Sequence, residues 1–261
     1  MSDIMASFSI LKNESIWIYL LRGVAFTLVI SVIAVVIAIL LGAVLALVRN
    51  YCKKGWCVIF RWIATIYIEL FRNTPLLLWI FICLVFFPCP DLFSRPMLTL
   101  TSVETKLIFK AAVALTLFES SVIAEIIRGG LNSVAEGQFE AGHSQGFSSV
   151  QIMIYIVLPQ AFRSIVPTLL GQVITTVKDS SYLANVATIE LMARTKKILS
   201  SANMYNGTGQ INVSDVFVLF GVAAMIYFII NFTLSCVVRK IQKKRRVTPR
   251  VVEQELQLEA S

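Results

Sequence analysis

Gly23–Val48 reads GVAFTLVISVIAVVIAILLGAVLALV, an apolar run with neither charge nor proline. A bilayer core of about 30 Å takes about 20 apolar helical residues, because nothing inside it can pair an exposed backbone group. This run is long enough to cross, and Val216–Val238 (VFVLFGVAAMIYFIINFTLSCVV) is a second that qualifies unaided. The chain around them has the same balance: 57% of its 261 residues are hydrophobic and 15% charged, against about 25% charged in an average soluble domain. Its mean hydropathy is +0.79.

Three weaker runs lie between. Asn73–Pro90 (NTPLLLWIFICLVFFPCP) is uncharged, Ala111–Ile127 carries Glu119 and Glu125, and Ser164–Val177 ends at Lys178 and Asp179. The expectation is an all-α membrane protein with five spans, at about 20–48, 62–89, 107–128, 161–179 and 215–238, in one domain over 1–261. The first run is too long for a signal-peptide core and no small-residue cleavage site follows it, so it is read as a retained span.

Orientation follows from Lys and Arg. Arg49, Lys53, Lys54 and Arg61 follow the first span, and Arg239, Lys240, Lys243, Lys244, Arg245 and Arg246 follow the last. Both clusters are expected on the cytoplasmic side. That places the N-terminus outside and the C-terminus inside, although Arg194, Lys196 and Lys197 then fall in an outer loop. The tail 239–261 reads as a basic-then-acidic segment that touches anionic lipid.

The net charge of +8 is therefore mainly a topology signal. The basic residues abut spans and form no patch with interleaved aromatics, which argues against nucleic acid. Five cysteines without a CxxC pair predict no disulfide framework and no metal site. The chain has no GxxxxGK[ST] or HExxH motif. No catalytic residue and no bound cofactor are expected, and the loops are too short to hold a soluble core.

One polar stretch interrupts this pattern. Glu140–Gln160 reads EAGHSQGFSSVQIMIYIVLPQ and holds the single histidine. Gln138–Gln145 allows about two helical turns, and Gly146 is the residue best suited to a left-handed stop. Ser148 with Gln151 three residues on predicts a capping box that opens a new helix, and Pro159 then interrupts or kinks that helix on its way into the fourth span. A two-turn helix needs something to pack on. Phe139 and His143, at i and i+4, with Phe147 beyond, offer one face either to the protein's own helices or to a soluble partner's groove.

Glu140, Ala141, Gly146, Ile156, Leu158 and Pro159 resemble the EAA loop of the inner-membrane permeases of ABC importers. Four other stretches, in the right order, are similar to signatures of the polar amino acid permeases: Glu69–Leu77 (ELFRNTPLL), Ala124–Gly130 (AEIIRGG), Leu158–Pro167 (LPQAFRSIVP) and Lys178–Ser181 (KDSS). The nearest likeness is to permeases of glutamate/aspartate importers, with glutamine as another substrate. The resemblance implies a type I, MetI-like permease in the bacterial inner membrane, with a cytoplasmic EAA loop at about 130–160.

It also implies partners. Two ATPase subunits would seat the coupling helix, a second permease, identical or related, would complete the path, and an extracytoplasmic amino acid binding protein would deliver substrate. ATP would be used by the ATPase and not bound by this chain. Phe139, Glu140, Ala141, Gly142, His143 and Gly146 are the expected ATPase-coupling residues. Gly142 stands where the family usually has alanine, and since glycine costs a helix about 1 kcal/mol, the coupling helix is expected to be looser or its partner closer.

Ionisable groups within spans are functional candidates because they are costly there. Glu119 with Ser120 and Ser121 is expected on the translocation path, and Lys178, Asp179 and Ser180 at an outer gate where the chain YLANVATIELM dips back. Glu125 and Arg128, three apart, read as a structural ion pair. Arg72 is expected to snorkel to the interface. A non-transporting membrane scaffold and an ion-coupled secondary transporter are the other classes this pattern allows.

Overall fold

The computed structural model describes residues 7–96, 100–186, 188–205 and 210–245. The expectation for the tail beyond Arg245 lies outside these residues, as does its one position within YLANVATIELM at Ala187. The long helix α1 (Glu14–Tyr51) is started by Asn13, whose side chain accepts from the Ser15 N–H. After it come α2 (Cys57–Arg72), α3 (Leu76–Phe86), α4 (Ser102–Asn132), the short α5 (Gly137–Ser144), α6 (Ser149–Ile152), α7 (Leu158–Asp179), α8 (Leu191–Ser200) and α9 (Val213–Arg245).

The α1 run that reveals the membrane also carries the packing code. Gly23, Thr27, Ser31, Ala38, Gly42 and Ala46 are buried along one side, while Val29, Val32, Val36, Leu40 and Val44 are exposed. Small residues let membrane helices approach closely where lipid removes any hydrophobic gain from pairing. At Gly42 a Cβ would lie 2.9 Å from the Ser120 carbonyl and 3.1 Å from the Ala124 nitrogen, so α1 and α4 touch backbone to backbone. At Gly23 a Cβ would lie 2.9 Å from the Leu191 Cα, which brings α8 against the N-terminal half of α1.

The second expected span, 62–89, is not one straight helix. It is α2 and α3, bent by 113°. Pro75 begins the turn with an extended ψ of 136° and cannot donate a backbone hydrogen bond to α2. Asn73 Nδ2 and Thr74 Oγ1 instead donate to the Glu69 and Leu70 carbonyls and satisfy the end of α2. The 11 residues of α3 reach only about 16 Å, too little to cross alone. Among the described residues four helices are long and apolar enough to cross a membrane, or five when this bent pair counts as one span.

The cysteine reading needs correction: Cys52 and Cys57 form a disulfide across the α1–α2 turn. Gly55, with φ of 64°, folds the turn back on itself and leaves the two Cα atoms 5.0 Å apart. Proximity through a glycine turn replaces the CxxC spacing on which the expectation rested.

The core sits between α1, α3, α4 and the turn after α7, where Ile30, Ala34, Ile80, Ala114, Leu115 and Leu183 are buried together. A separate cluster of Leu131, Ile152, Val157, Ala161 and Ile165, with Phe139 against it, joins the end of α4 to α5 and the start of α7.

Candidate functional site: the α5 loop and the buried polar residues

Two turns of helix form at Gly137–Ser144, and Gly146 takes φ of 82°. The Phe147 N–H then reaches back to the Gly142 carbonyl at 3.1 Å and the Gly146 N–H to His143 at 2.9 Å, which satisfies carbonyls the helix end leaves open. Ser148 accepts from the Gln151 N–H while the Gln151 side chain accepts from the Ser148 N–H, so both halves of the capping box are present. The next turn is a π-helix over Met153–Val157, in which the Leu158 N–H bonds Met153 five residues back. Pro159 has no N–H for Tyr155, and the widened turn absorbs that loss.

The two faces of α5 differ. Gly142 is its one buried residue and Phe139 is half-buried in the cluster below, whereas Glu140, Ala141, His143 and Gly146 are exposed. Phe139 and His143 therefore do not present a common outer surface, and Phe139 is the anchor. The looseness expected of Gly142 also needs correction. A Cβ there would lie 2.7 Å from Ile152 Cγ1 and 3.2 Å from Ile156 Cδ1, so glycine lets α5 seat tightly on the chain that follows.

At the same end of the bundle, Glu125 on α4 meets three arginines. Arg128 lies at 2.8 Å, Arg49 of α1 at 2.6 Å and Arg72 of α2 at 3.6 Å, while Arg49 also reaches Glu69 at 2.7 Å. The expected pair is thus the core of a network that ties α1, α2 and α4 together just before the loop. Arg72 joins it while 41% of its side chain stays exposed. Sequence spacing could offer only the i, i+3 partner.

Deeper, Glu119 is fully buried. Its Oε2 accepts from Gln172 Nε2 of α7 at 2.8 Å, and its Oε1 has no hydrogen-bond partner among the described residues. Ser120 and Ser121 beside it are fully buried and donate to the Leu117 and Phe118 carbonyls, and Ser120 also meets the Tyr67 hydroxyl at 2.9 Å. These serines pack helices and open onto no free space. In the last turn of α7 Lys178 is exposed and Asp179 half-buried, and just beyond it Ser180 is buried with its hydroxyl donating to the Val177 carbonyl.

Sequence reasoning missed Glu190. It is buried and caps α8 with both oxygens, which accept from Met192 at 2.8 Å, Ala193 at 2.6 Å and the Tyr227 hydroxyl at 3.0 Å. Burial raises its carboxyl pKa, and the hydrogen bonds only partly offset that rise. A glutamate just before a helical run was the available signal.

Residues 38–247 match the family described as binding-protein-dependent transport system inner membrane component. The chain is 32% identical to the "Probable glutamine ABC transporter permease protein GlnP" of Bacillus subtilis, over 87% of this chain and 94% of that one. It is 34% identical to the "Glutamate/aspartate import permease protein GltK" of Escherichia coli O6:H1, over 87% and 93%. Among solved structures, "Crystal structure of an amino acid ABC transporter with histidines" aligns with a TM-score of 0.70 at 26% identity, over 87% of this chain and 94% of that one.

Proposed function

Because the chain belongs to the family of inner membrane components of binding-protein-dependent transport systems, we propose that it forms the membrane pathway of an ABC importer for a polar amino acid. Relatives named for glutamine and for glutamate/aspartate support that substrate class. The observation that carries the mechanism is the two-faced α5: Phe139 and Gly142 lock it onto the protein, and Glu140, Ala141 and His143 point away. A rigidly seated helix with a free polar face suits a coupling helix docked in an ATPase groove.

In this reading two ATPase subunits use the ATP and an extracytoplasmic protein delivers the amino acid. The N-terminus lies outside, and α5 and the C-terminus lie in the cytoplasm. A second permease covers α7, on which Ser164, Thr168, Gly171 and Lys178 are exposed at helical spacing. Such a polar stripe is unsuited to lipid tails and fits a protein-covered or watered path. Glu119 and Gln172 lie behind that stripe, where they bear on the path through α7 and need not touch the substrate. Closure of the ATPases draws the two coupling helices together and favours the outward-open state, and hydrolysis reverses the shift.

Glu140→Lys reverses a charge on the free face, and Gly146→Pro cannot adopt φ of 82°. Both are expected to abolish amino acid uptake and transport-linked ATP hydrolysis in reconstituted vesicles while the chain still inserts. Normal uptake by either variant would remove α5 from the coupling role.

A further inference from the structure

At the end of the bundle opposite α5, a cavity of about 490 Å³ opens between the outer part of α1, the first turn of α4 and α8. Its volume falls in the range of small-molecule sites, about 300–1,000 Å³. Arg194, Lys196 and Lys197 line it together with Glu104, Tyr19 and Thr188. Three cations thus face one carboxylate, and that carboxylate is already oriented by the Thr101 N–H and hydroxyl, both at 2.9 Å.

Arg194 is the unusual member. It is 8% exposed, yet no carboxylate of the described residues lies within ion-pair distance. Its partners among the described residues are neutral: Nε donates to the Ile189 carbonyl at 2.8 Å, Nη1 donates to the Tyr19 carbonyl at 3.1 Å, and the guanidinium lies 4.2 Å from the centre of the Tyr19 ring. The one nearby carboxylate in the chain order, Glu190, is occupied by Met192, Ala193 and Tyr227. A guanidinium cannot shed its proton to escape burial, so a buried arginine without an anion is costly unless an anion arrives. Gly23 is what allows the arrangement, because a Cβ there would lie 2.8 Å from Arg194 Cδ.

We propose that this cavity is a carboxylate-binding site on the outer side of the permease, with Arg194 and Lys197 as the anion-holding residues and Glu104 as acceptor for an ammonium group. The arrangement matches an acidic amino acid: two carboxylates against the cations and one ammonium against Glu104. The assignment rests on the permease reading above and narrows its substrate class to the dicarboxylic amino acids. An acidic side chain of the delivering protein offers the same carboxylate, so the test separates the two sources.

The full chain, reconstituted in lipid nanodiscs, is titrated calorimetrically with L-glutamate and L-glutamine. Saturable L-glutamate binding about tenfold tighter than that of L-glutamine is expected, weakened about tenfold by Arg194→Gln. Lys197→Gln, at an exposed position that leaves folding intact, is expected to weaken it about threefold. If free L-glutamate does not bind but the purified binding protein docks with an affinity that falls in the same two variants, the carboxylate comes from the protein and the site stands. Equal affinity for both amino acids, or binding by either source that is indifferent to both substitutions, overturns the proposal, as does the absence of any binding. ATP-driven uptake that continues normally in the assembled complex with Lys197→Gln would then keep the permease reading while the site is lost. Failure of the wild-type assembly to take up any amino acid would instead remove the permease reading itself.

Discussion

The α5 loop and the Glu125 network lie at the same end of the molecule but are specified in opposite ways. The bonds that set the glycine stop and the serine cap join residues at most five apart: Phe147 to Gly142, Gly146 to His143, Ser148 to Gln151. The network joins Arg49, Glu69, Arg72, Glu125 and Arg128 across three helices. A glycine stop and a serine cap work wherever they occur in a chain. A charge network exists only once the helices have assembled. The loop should therefore fail in its local shape or coupling, and the network in the stability of the bundle.

The largest break expected is Glu125→Ala. It leaves Arg49 and Arg128 facing each other without their shared anion, and removal of one member of a buried ion pair costs about 3 kcal/mol or more. Thermal unfolding in detergent should show a clear loss, whereas Arg72→Ala, whose contact is 3.6 Å with 41% of its side chain exposed, should cost less than about 1 kcal/mol. Equal effects of the two would mean that the network is not centred on Glu125.

Next is Gly142→Ala, which restores the usual family letter. The new methyl overlaps Ile152, and overpacking costs about 1–3 kcal/mol. Loss of transport-linked ATP hydrolysis is expected, with recovery when Ile152→Ala makes room. A functional Gly142→Ala chain without compensation would return the glycine to mere looseness. Ser148→Ala removes one half of the capping box and should cost about 1 kcal/mol, visible as faster amide exchange at Ser149–Gln151 with little change in global unfolding.

The smallest effect is a pH slope from Glu190, which belongs to both classes: its bonds to Met192 and Ala193 are local, and its bond to Tyr227 is not. Its folded pKa is raised above the ordinary 4.5, so the folded protein holds this proton to higher pH than the unfolded chain does. The contribution is fully present below pH 4.5 and is lost as pH rises through the folded value. Glu190→Gln should flatten that slope in thermal unfolding measured from about pH 4.5 upward. An unchanged slope would assign it to other groups.

Much of the fold was legible because the bilayer imposes simple demands. Length and lack of charge marked the spans at Gly23–Val48 and Val216–Val238, whereas the span expected at 62–89 gave no warning of its 113° bend. The candidate site was legible in part. His143 and Phe139 share a helical spacing, but spacing cannot say that one meets solvent and the other the buried cluster at the start of α7. The spacing of Ser120 and Ser121 could not show that both are buried, with hydroxyls bonded to their own helix and, for Ser120, to Tyr67 of α2. The Cys52–Cys57 contact was missed because a turn, and not a motif, creates it.

The sequence by itself determined the membrane class, the α5 stop and the cap at Ser148, since each follows from hydropathy, a positive φ, or a hydrogen bond within one turn. Only the tertiary structure decided that Gly42 lies on Ser120, that Glu125 gathers three arginines, and that Arg194 lines a cavity with no carboxylate of the described residues within ion-pair distance. The physical reason is range. Backbone rules act over about five residues, whereas close packing and the pairing of buried charges depend on which helices come together.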